Sequence, residues 1–160
     1  MLIRAATAND LLQIKALWNA MIRDTTATFM SVQKSDEDLA ALFAVRRDAF
    51  LVAELGGICA GFITWGPFRA GDGYVHTAEH SIITQTHGKG IGRTLLKEAM
   101  SQAYVQGIHV MVAAIGGENT AAVTFHERLG FAKTGHLPQV GHKMGRWHDL
   151  ILMSRTLTAP

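Results

Sequence analysis

The sequence predicts one mixed α/β domain, with about seven strands in a central sheet and about four helices against it. Three observations lead there. Apolar residues recur at spacings of three and four in two long stretches, residues 11–22 and 91–103, the pattern of helices with one buried face. Short apolar runs bounded by glycine lie between and after them and read as strands. The length, 160 residues, is one domain's worth, and 48% of the residues are hydrophobic against 18% charged. Such a chain can bury one core without disulfides or structural metal, and its balance is the opposite of a disordered segment's. Residues 1–160 are therefore read as a single domain.

The elements follow in order. Residues 2–4 are expected as a first strand. Asn9 or Asp10 caps a helix whose buried face is Leu11, Leu12, Ile14, Leu17, Trp18, Met21 and Ile22. Ser35-Asp36-Glu37-Asp38 resembles a capping box and opens a second helix over about residues 36–47. Residues 50–55, Gly56-Gly57 and residues 58–65 make strand, turn and strand, because two glycines permit the positive φ of a two-residue hairpin. A loop with Gly66, Pro67, Gly71 and Gly73 leads to a strand over residues 77–84. Gly88-Lys89-Gly90-Ile91-Gly92 then enters a helix that turns Ile91, Leu95, Leu96, Ala99, Met100 and Ala103 inward. Residues 110–115 are continuously apolar, as in a strand covered on both faces. Asn119 caps a last helix that Gly130 stops, and residues 131–137 and 146–157 are the final strands.

Composition excludes several classes. Fifteen basic against thirteen acidic residues give a net charge of +2, too small and dispersed for a nucleic-acid footprint. No apolar run approaches the ~20 residues of a membrane span, and the N-terminus lacks a signal peptide's basic-then-apolar layout. Cys59 is the one cysteine, so no intrachain disulfide forms and a cytoplasmic address is expected. The eight histidines include no HxxxH pair on a predicted helix and have no CxxC beside them, so no metal is expected.

The informative segment is the strand ending Glu79-His80-Ser81-Ile82-Ile83-Thr84, a short polar link, and His87-Gly88-Lys89-Gly90-Ile91-Gly92-Arg93-Thr94. Glycines between a strand and a helix bring backbone amides to an anion, and the helix N-terminus adds about half a positive charge. Lys89 and Arg93 supplement that field, which suits a pyrophosphate. The plain alternative is a tight turn into a helix. A Walker A loop is absent, and the dinucleotide fingerprint fails because its third glycine is misplaced. What does match is (Gln/Arg)-x-x-Gly-x-(Gly/Ala), read as His87 to Gly92.

That pattern resembles the pyrophosphate loop of the GNAT superfamily of acetyl-CoA-dependent N-acetyltransferases. Within it, the chain most resembles the phosphinothricin and methionine sulfoximine acetyltransferases. The strings that carry this are Thr28-Phe29, Gly66-Pro67-Phe68-Arg69, Thr77-Ala78-Glu79-His80-Ser81, Ala113-Ala114-Ile115, Glu118-Asn119-Thr120, His126-Glu127-Arg128-Leu129-Gly130-Phe131, and Val140 through Asp149. His87 stands where the superfamily usually has Arg or Gln, and the link before the loop is about two residues shorter than is common.

The resemblance implies a GNAT fold, acetyl-CoA as co-substrate, no metal, a small-molecule amine or amino acid as acceptor, and a homodimer. It places a catalytic glutamate at Glu79, which as a bare feature is equally an exposed strand carboxylate or a salt-bridge partner. Many relatives protonate the leaving thiolate with a tyrosine where this chain has His126. An imidazolium suits that task, since its unperturbed pKa is about 6.5, while the bland reading is a histidine at a helix C-terminus. By resemblance, the main chain of Ile82, Ile83 and Thr84 binds the pantetheine arm, residues from His87 to Thr94 hold the pyrophosphate, and Asn119 contacts the arm. For the acceptor, Arg69 can clamp a carboxylate bidentately, and Phe29, Tyr74, Thr77 and Trp147 are candidate contacts. His148 and Asp149 are adjacent on a strand and point to opposite faces, so they form no dyad. Two alternatives stay open: an N-acetyltransferase for a polyamine, aminoglycoside or protein N-terminus, and a non-catalytic regulator that binds acetyl-CoA.

Overall fold

Alternation along the central strands sorts side chains onto two faces and decides which helix covers which. In the computed structural model, which describes residues 1–86 and 88–159, the elements are β1 (Leu2–Ala5), α1 (Leu11–Asp24), α2 (Asp36–Arg46), β2 (Phe50–Leu55), β3 (Ile58–Pro67) and β4 (Thr77–Thr84). They continue with α3 (Ile91–Val105), β5 (Val110–Gly116), α4 (Thr120–Glu127), β6 (Ala132–Lys143) and β7 (Arg146–Thr156). Phe50, Val52 and Phe62 face Ile14, Trp18 and Ile22 of α1 and Leu39 of α2. Leu51, Ala53, Ile63, Trp65 and Ala78 face the other way, onto Leu95, Leu96, Ala99, Met100 and Ala103 of α3. The seven strands form one sheet in the order β1-β2-β3-β4-β5-β7-β6, so the expected mixed α/β architecture is the observed one.

Local signals act as expected at most junctions. Gly56 and Gly57 take φ of 60° and 80° in the β2–β3 turn, and the Ser35 hydroxyl accepts from the amide of Asp38 at 3.0 Å. Three expectations need correction. Leu12 is 72% exposed and lies off the buried face of α1, which Ile14, Trp18 and Ile22 form. Asp10 stands at the N-cap of α1 but does not cap it: its carboxylate accepts from the Thr7 amide and from Arg4 instead. The strand expected to end at 137 runs on to Lys143, because register shifts between Lys133 and Gly135 and between Leu137 and Gly141 absorb its glycines and proline without ending the pairing. Cys59 is buried in β3, in the core as expected. Among the described residues no helix is long and apolar enough to cross a membrane.

One irregularity positions everything else. β4 and β5 are parallel neighbours, but only Thr77, Ala78 and Glu79 pair, with Val110, Met111 and Val112. Beyond that point β4 stays on β3 as far as Thr84 opposite Gly61, while β5 stays on β7 as far as Gly116 opposite Leu150. The sheet therefore forks, with Glu79 at the vertex.

Candidate active site

A cleft of about 350 Å³ occupies the fork. Glu79, Ile82 and Ile83 line it from β4, Ala114 and Ile115 from β5, Asn119 and His126 from the α4 region, and Phe29 from the loop after α1. Because the two strands have parted, each presents an unpaired backbone edge to the cleft. An extended ligand with amide groups can bond to such an edge as an added strand does.

Glu79 is half-buried, and burial pushes its carboxyl above the usual range while the positive charge of Arg46 opposes the rise. A carboxylate with a raised pKa in a cleft is suited to taking a proton.

His126 meets a partner that sequence reasoning missed. Its Nε2 lies 3.1 Å from Nε2 of His80, and its Nδ1 lies 2.8 Å from the carbonyl of Ala122. A carbonyl only accepts, so Nδ1 carries the hydrogen and neutral His126 offers a lone pair at Nε2. His80 can then donate across the pair from its Nε2, and its buried Nδ1, beside the backbone of Val112, makes no well-formed hydrogen bond. Burial lowers the pKa of both rings, that of His80 to about 3. The imidazolium expected at His126 near neutral pH is therefore corrected to a neutral ring whose Nε2 accepts.

The glycine loop enters α3 in a conformation that suits amide display. Gly88 and Gly90 have φ of 81° and 74°, and Gly90 is the N-cap of α3. Ile91 is buried and anchors the helix start, while Lys89 and Arg93 are exposed beside it. Thr94 donates its hydroxyl to the Gly90 carbonyl at 3.1 Å, and Gly92 lets Phe125 and Thr84 pack closely over the first turn. His87 lies outside the described residues. Asn119 accepts from the amide of Ala122 at 3.0 Å, the cap expected of it, and also borders the cleft. A left-handed glycine loop at the start of a 15-residue helix, next to a free strand edge, fits a long phosphate-bearing thioester.

The acceptor candidates are not all brought together. Phe29 lines the cleft, stacked on His148 with ring centroids 5.5 Å apart. Its loop is pinned by Lys143, another residue missed from sequence, whose buried ammonium donates to the carbonyls of Ile22, Thr25 and Thr28 at 2.7–2.8 Å. Arg69 is exposed, with its guanidinium 5.9 Å from the centroid of Tyr74, itself exposed. Thr77 begins β4 at the closed end of its pairing with β5, and Trp147 is 64% exposed on β7 against His142. None of these four lines the cleft in this chain. His148 is buried whereas Asp149 bonds His136 at 2.7 Å, so the two do diverge. Among the described residues no group of three or more His, Cys, Asp or Glu is placed to hold a metal ion.

A forked β4–β5 pair with a carboxylate at its vertex and a glycine loop feeding the next helix defines an acyl-transfer fold. The acetyltransferase (GNAT) domain matches residues 3–152, and the chain belongs to that family of acetyltransferases. It is 38% identical over 162 residues to the L-amino acid N-acyltransferase MnaT of Escherichia coli, spanning 98% of this chain and 94% of that one. It is 37% identical to an L-methionine sulfoximine/L-methionine sulfone acetyltransferase of Pseudomonas paraeruginosa, over 97% of this chain and 94% of the relative. The crystal structure of a phosphinothricin acetyltransferase from Sinorhizobium meliloti in complex with acetyl-CoA superposes with a TM-score of 0.93 at 30% identity, covering 98% of this chain and 88% of that one.

Proposed function

We propose that this enzyme transfers acetyl from acetyl-CoA to the α-amino group of a small amino acid or analogue, such as methionine sulfone, methionine sulfoximine or phosphinothricin. The observation that carries this is the fork with Glu79 at its vertex; the names of the relatives support the acceptor class. Acetyl-CoA supplies an activated thioester whose C–S bond gives way to an N–C bond, while the amine loses a proton and the departing sulfur gains one. The open edge at Ile82, Ile83 and Thr84 and the side chain of Asn119 hold the arm. The amides from Gly88 through Arg93, with the side chains of Lys89 and Arg93, hold the pyrophosphate, and Thr94 closes the first turn behind them by donating its own amide to the Gly90 carbonyl.

Glu79 takes the amine proton at its carboxylate, directly or through a water. His126 returns a proton to the sulfur; because its Nε2 is an acceptor at rest, it first takes up that proton from solvent at Nε2 and then gives it to the departing thiolate. Phe29 forms an acceptor wall. Arg69 holds the acceptor carboxylate if its loop carries it in; Arg69→Ala with an unchanged acceptor KM removes that role. Tyr74, Thr77 and Trp147 belong to the acceptor's surroundings on the same footing. The reading includes a homodimer, for which Leu137, Val140, Met144 and Trp147 leave exposed apolar surface on β6, the β6–β7 turn and β7.

Release of free CoA thiol across a panel of amines tests the proposal. Amino-acid analogues are expected to turn over, polyamines and aminoglycosides much less. Glu79→Gln is expected to lower kcat/KM by about 10²–10⁴-fold. Acetyl-CoA binding without release by any amine would leave a regulator in place of an enzyme.

A further inference from the structure

Gly66 on β3 pairs with Glu79 on β4. Directly paired residues of an antiparallel ladder point to the same face, with Cβ positions about 5 Å apart. Gly66 has no side chain, and its space is taken by Arg46 from the last turn of α2. A Cβ at Gly66 would stand 1.5 Å from Nη1 of Arg46 and 2.0 Å from its Cζ. The guanidinium thus occupies the seat of Glu79's cross-strand neighbour.

The backbone brings it there. The Ala49 amide donates to the Arg46 carbonyl at 2.9 Å, and the Ala49 carbonyl accepts from the Trp65 amide at 3.1 Å and the Thr64 hydroxyl at 2.7 Å. These bonds fasten the end of α2 beside Gly66. Arg46 Nη1 is nevertheless buried and, among the described residues, donates to nothing. A charged donor withdrawn from water without an acceptor is costly unless an opposite charge lies near, and the opposite charge on this face is Glu79.

We propose that Arg46 is a positioning residue for Glu79, its guanidinium seated in the gap left by Gly66 so as to hold the carboxylate ionised against its burial. The proposal rests on reading Glu79 as the base. Among the described residues, Glu79 is the one charged side chain lining the cleft: α1 contributes Trp18 and Met21, residues 27–30 and 113–116 carry no charge, and His80 and His126 are kept neutral by burial. On β3 the neighbouring Thr64 is uncharged. Burial raises the Glu79 pKa and lowers that of Arg46, and the charge of each opposes the shift of the other.

The test follows the Glu79 carboxyl by carbon NMR in glutamate-labelled protein, its resonance assigned by loss in Glu79→Gln, beside the acid limb of kcat/KM. In Arg46→Met both should move up by about one pH unit, the low end for losing a nearby opposite charge. Arg46→Lys should restore most of the shift. Gly66→Ala keeps Arg46 but pushes its flexible end aside, so it should shift the carboxyl in the same direction; these two variants carry the comparison if Arg46→Met does not fold. A Glu79 resonance that titrates as in wild type in folded Arg46→Met, or in Gly66→Ala, overturns the proposal. If the resonance moves but Glu79→Gln keeps wild-type turnover, Arg46 does position Glu79 and the base assignment is what falls.

Discussion

At the scale of single residues, Asp10 shows what a cap position can be diverted to. Its buried carboxylate accepts from the Thr7 amide at 2.7 Å, the Thr7 hydroxyl at 2.9 Å and both terminal nitrogens of Arg4 at 2.8 Å. Those donors, Arg4 foremost, hold its pKa at about 2 against an ordinary 3.8. The folded-state value is depressed, so the stabilisation is complete above about pH 4 and is lost as pH falls toward about 2. Asp10→Asn should therefore cost about 2 kcal/mol at pH 7, and its deficit should shrink as the pH approaches 2; urea denaturation at several pH values checks both. A constant deficit would mean packing rather than charge. Glu79 was singled out through the family resemblance alone, since as a bare feature it is one carboxylate on a strand before a glycine loop. Its neighbour His80 was not, although strand alternation already put it on the opposite, core face, where a histidine needs a partner. Arg46 carried no site signal in the sequence, since the gap it fills belongs to Gly66, far away in the chain.

At the scale of elements, the His80–His126 contact is a polar tie between β4 and α4 inside an apolar setting that includes Phe131 and Phe125. Both rings are held below their ordinary pKa of 6.5, so the unfolded chain binds more protons than the folded one below that pH. The tie's contribution thus erodes as pH falls from about 6.5, down toward the His80 value of about 3. Glu79 works the other way near its raised pKa, losing stability as pH rises, so the wild-type slope alone is ambiguous. The comparison is with His80→Phe, which keeps the volume and removes one titration. Its melting temperature should fall less steeply than wild type between pH 6.5 and 4.5, and parallel slopes would sink the neutral-pair assignment. The β2–β3 hairpin was legible because Gly56-Gly57 is local turn chemistry. The true length of β6 was not, because Gly135, Pro138 and Gly141 carry the signals that end strands, and only pairing with β7 shows them to be irregularities within one.

At the scale of the whole molecule, the element order was readable because each run carries its own period, whereas the fork was not. Divergence of β4 from β5 arises because each keeps a different long-range partner, β3 for one and β7 for the other, and no local pattern encodes that choice. A ligand held by β4, α3 and Asn119 bridges elements from both arms, so it stabilises the whole fold in proportion to its affinity. At a hundredfold excess over Kd, acetyl-CoA should add about 2.7 kcal/mol, a rise of several degrees in Tm for a chain of this size. Gly90→Val puts a β-branched residue at φ 74°, which strains the loop and should weaken acetyl-CoA at least about tenfold. At the same ligand concentration its ligand-induced gain should fall to about 1.4 kcal/mol or less. Strain lowers the starting Tm as well, so the quantity to compare is the gain on adding ligand. Gly107→Val supplies the control, because it imposes a side chain at φ 86° just after α3, at the far end of that helix from the glycine loop. That variant should start lower and keep the full gain; an undiminished gain in Gly90→Val would remove this loop from the binding site.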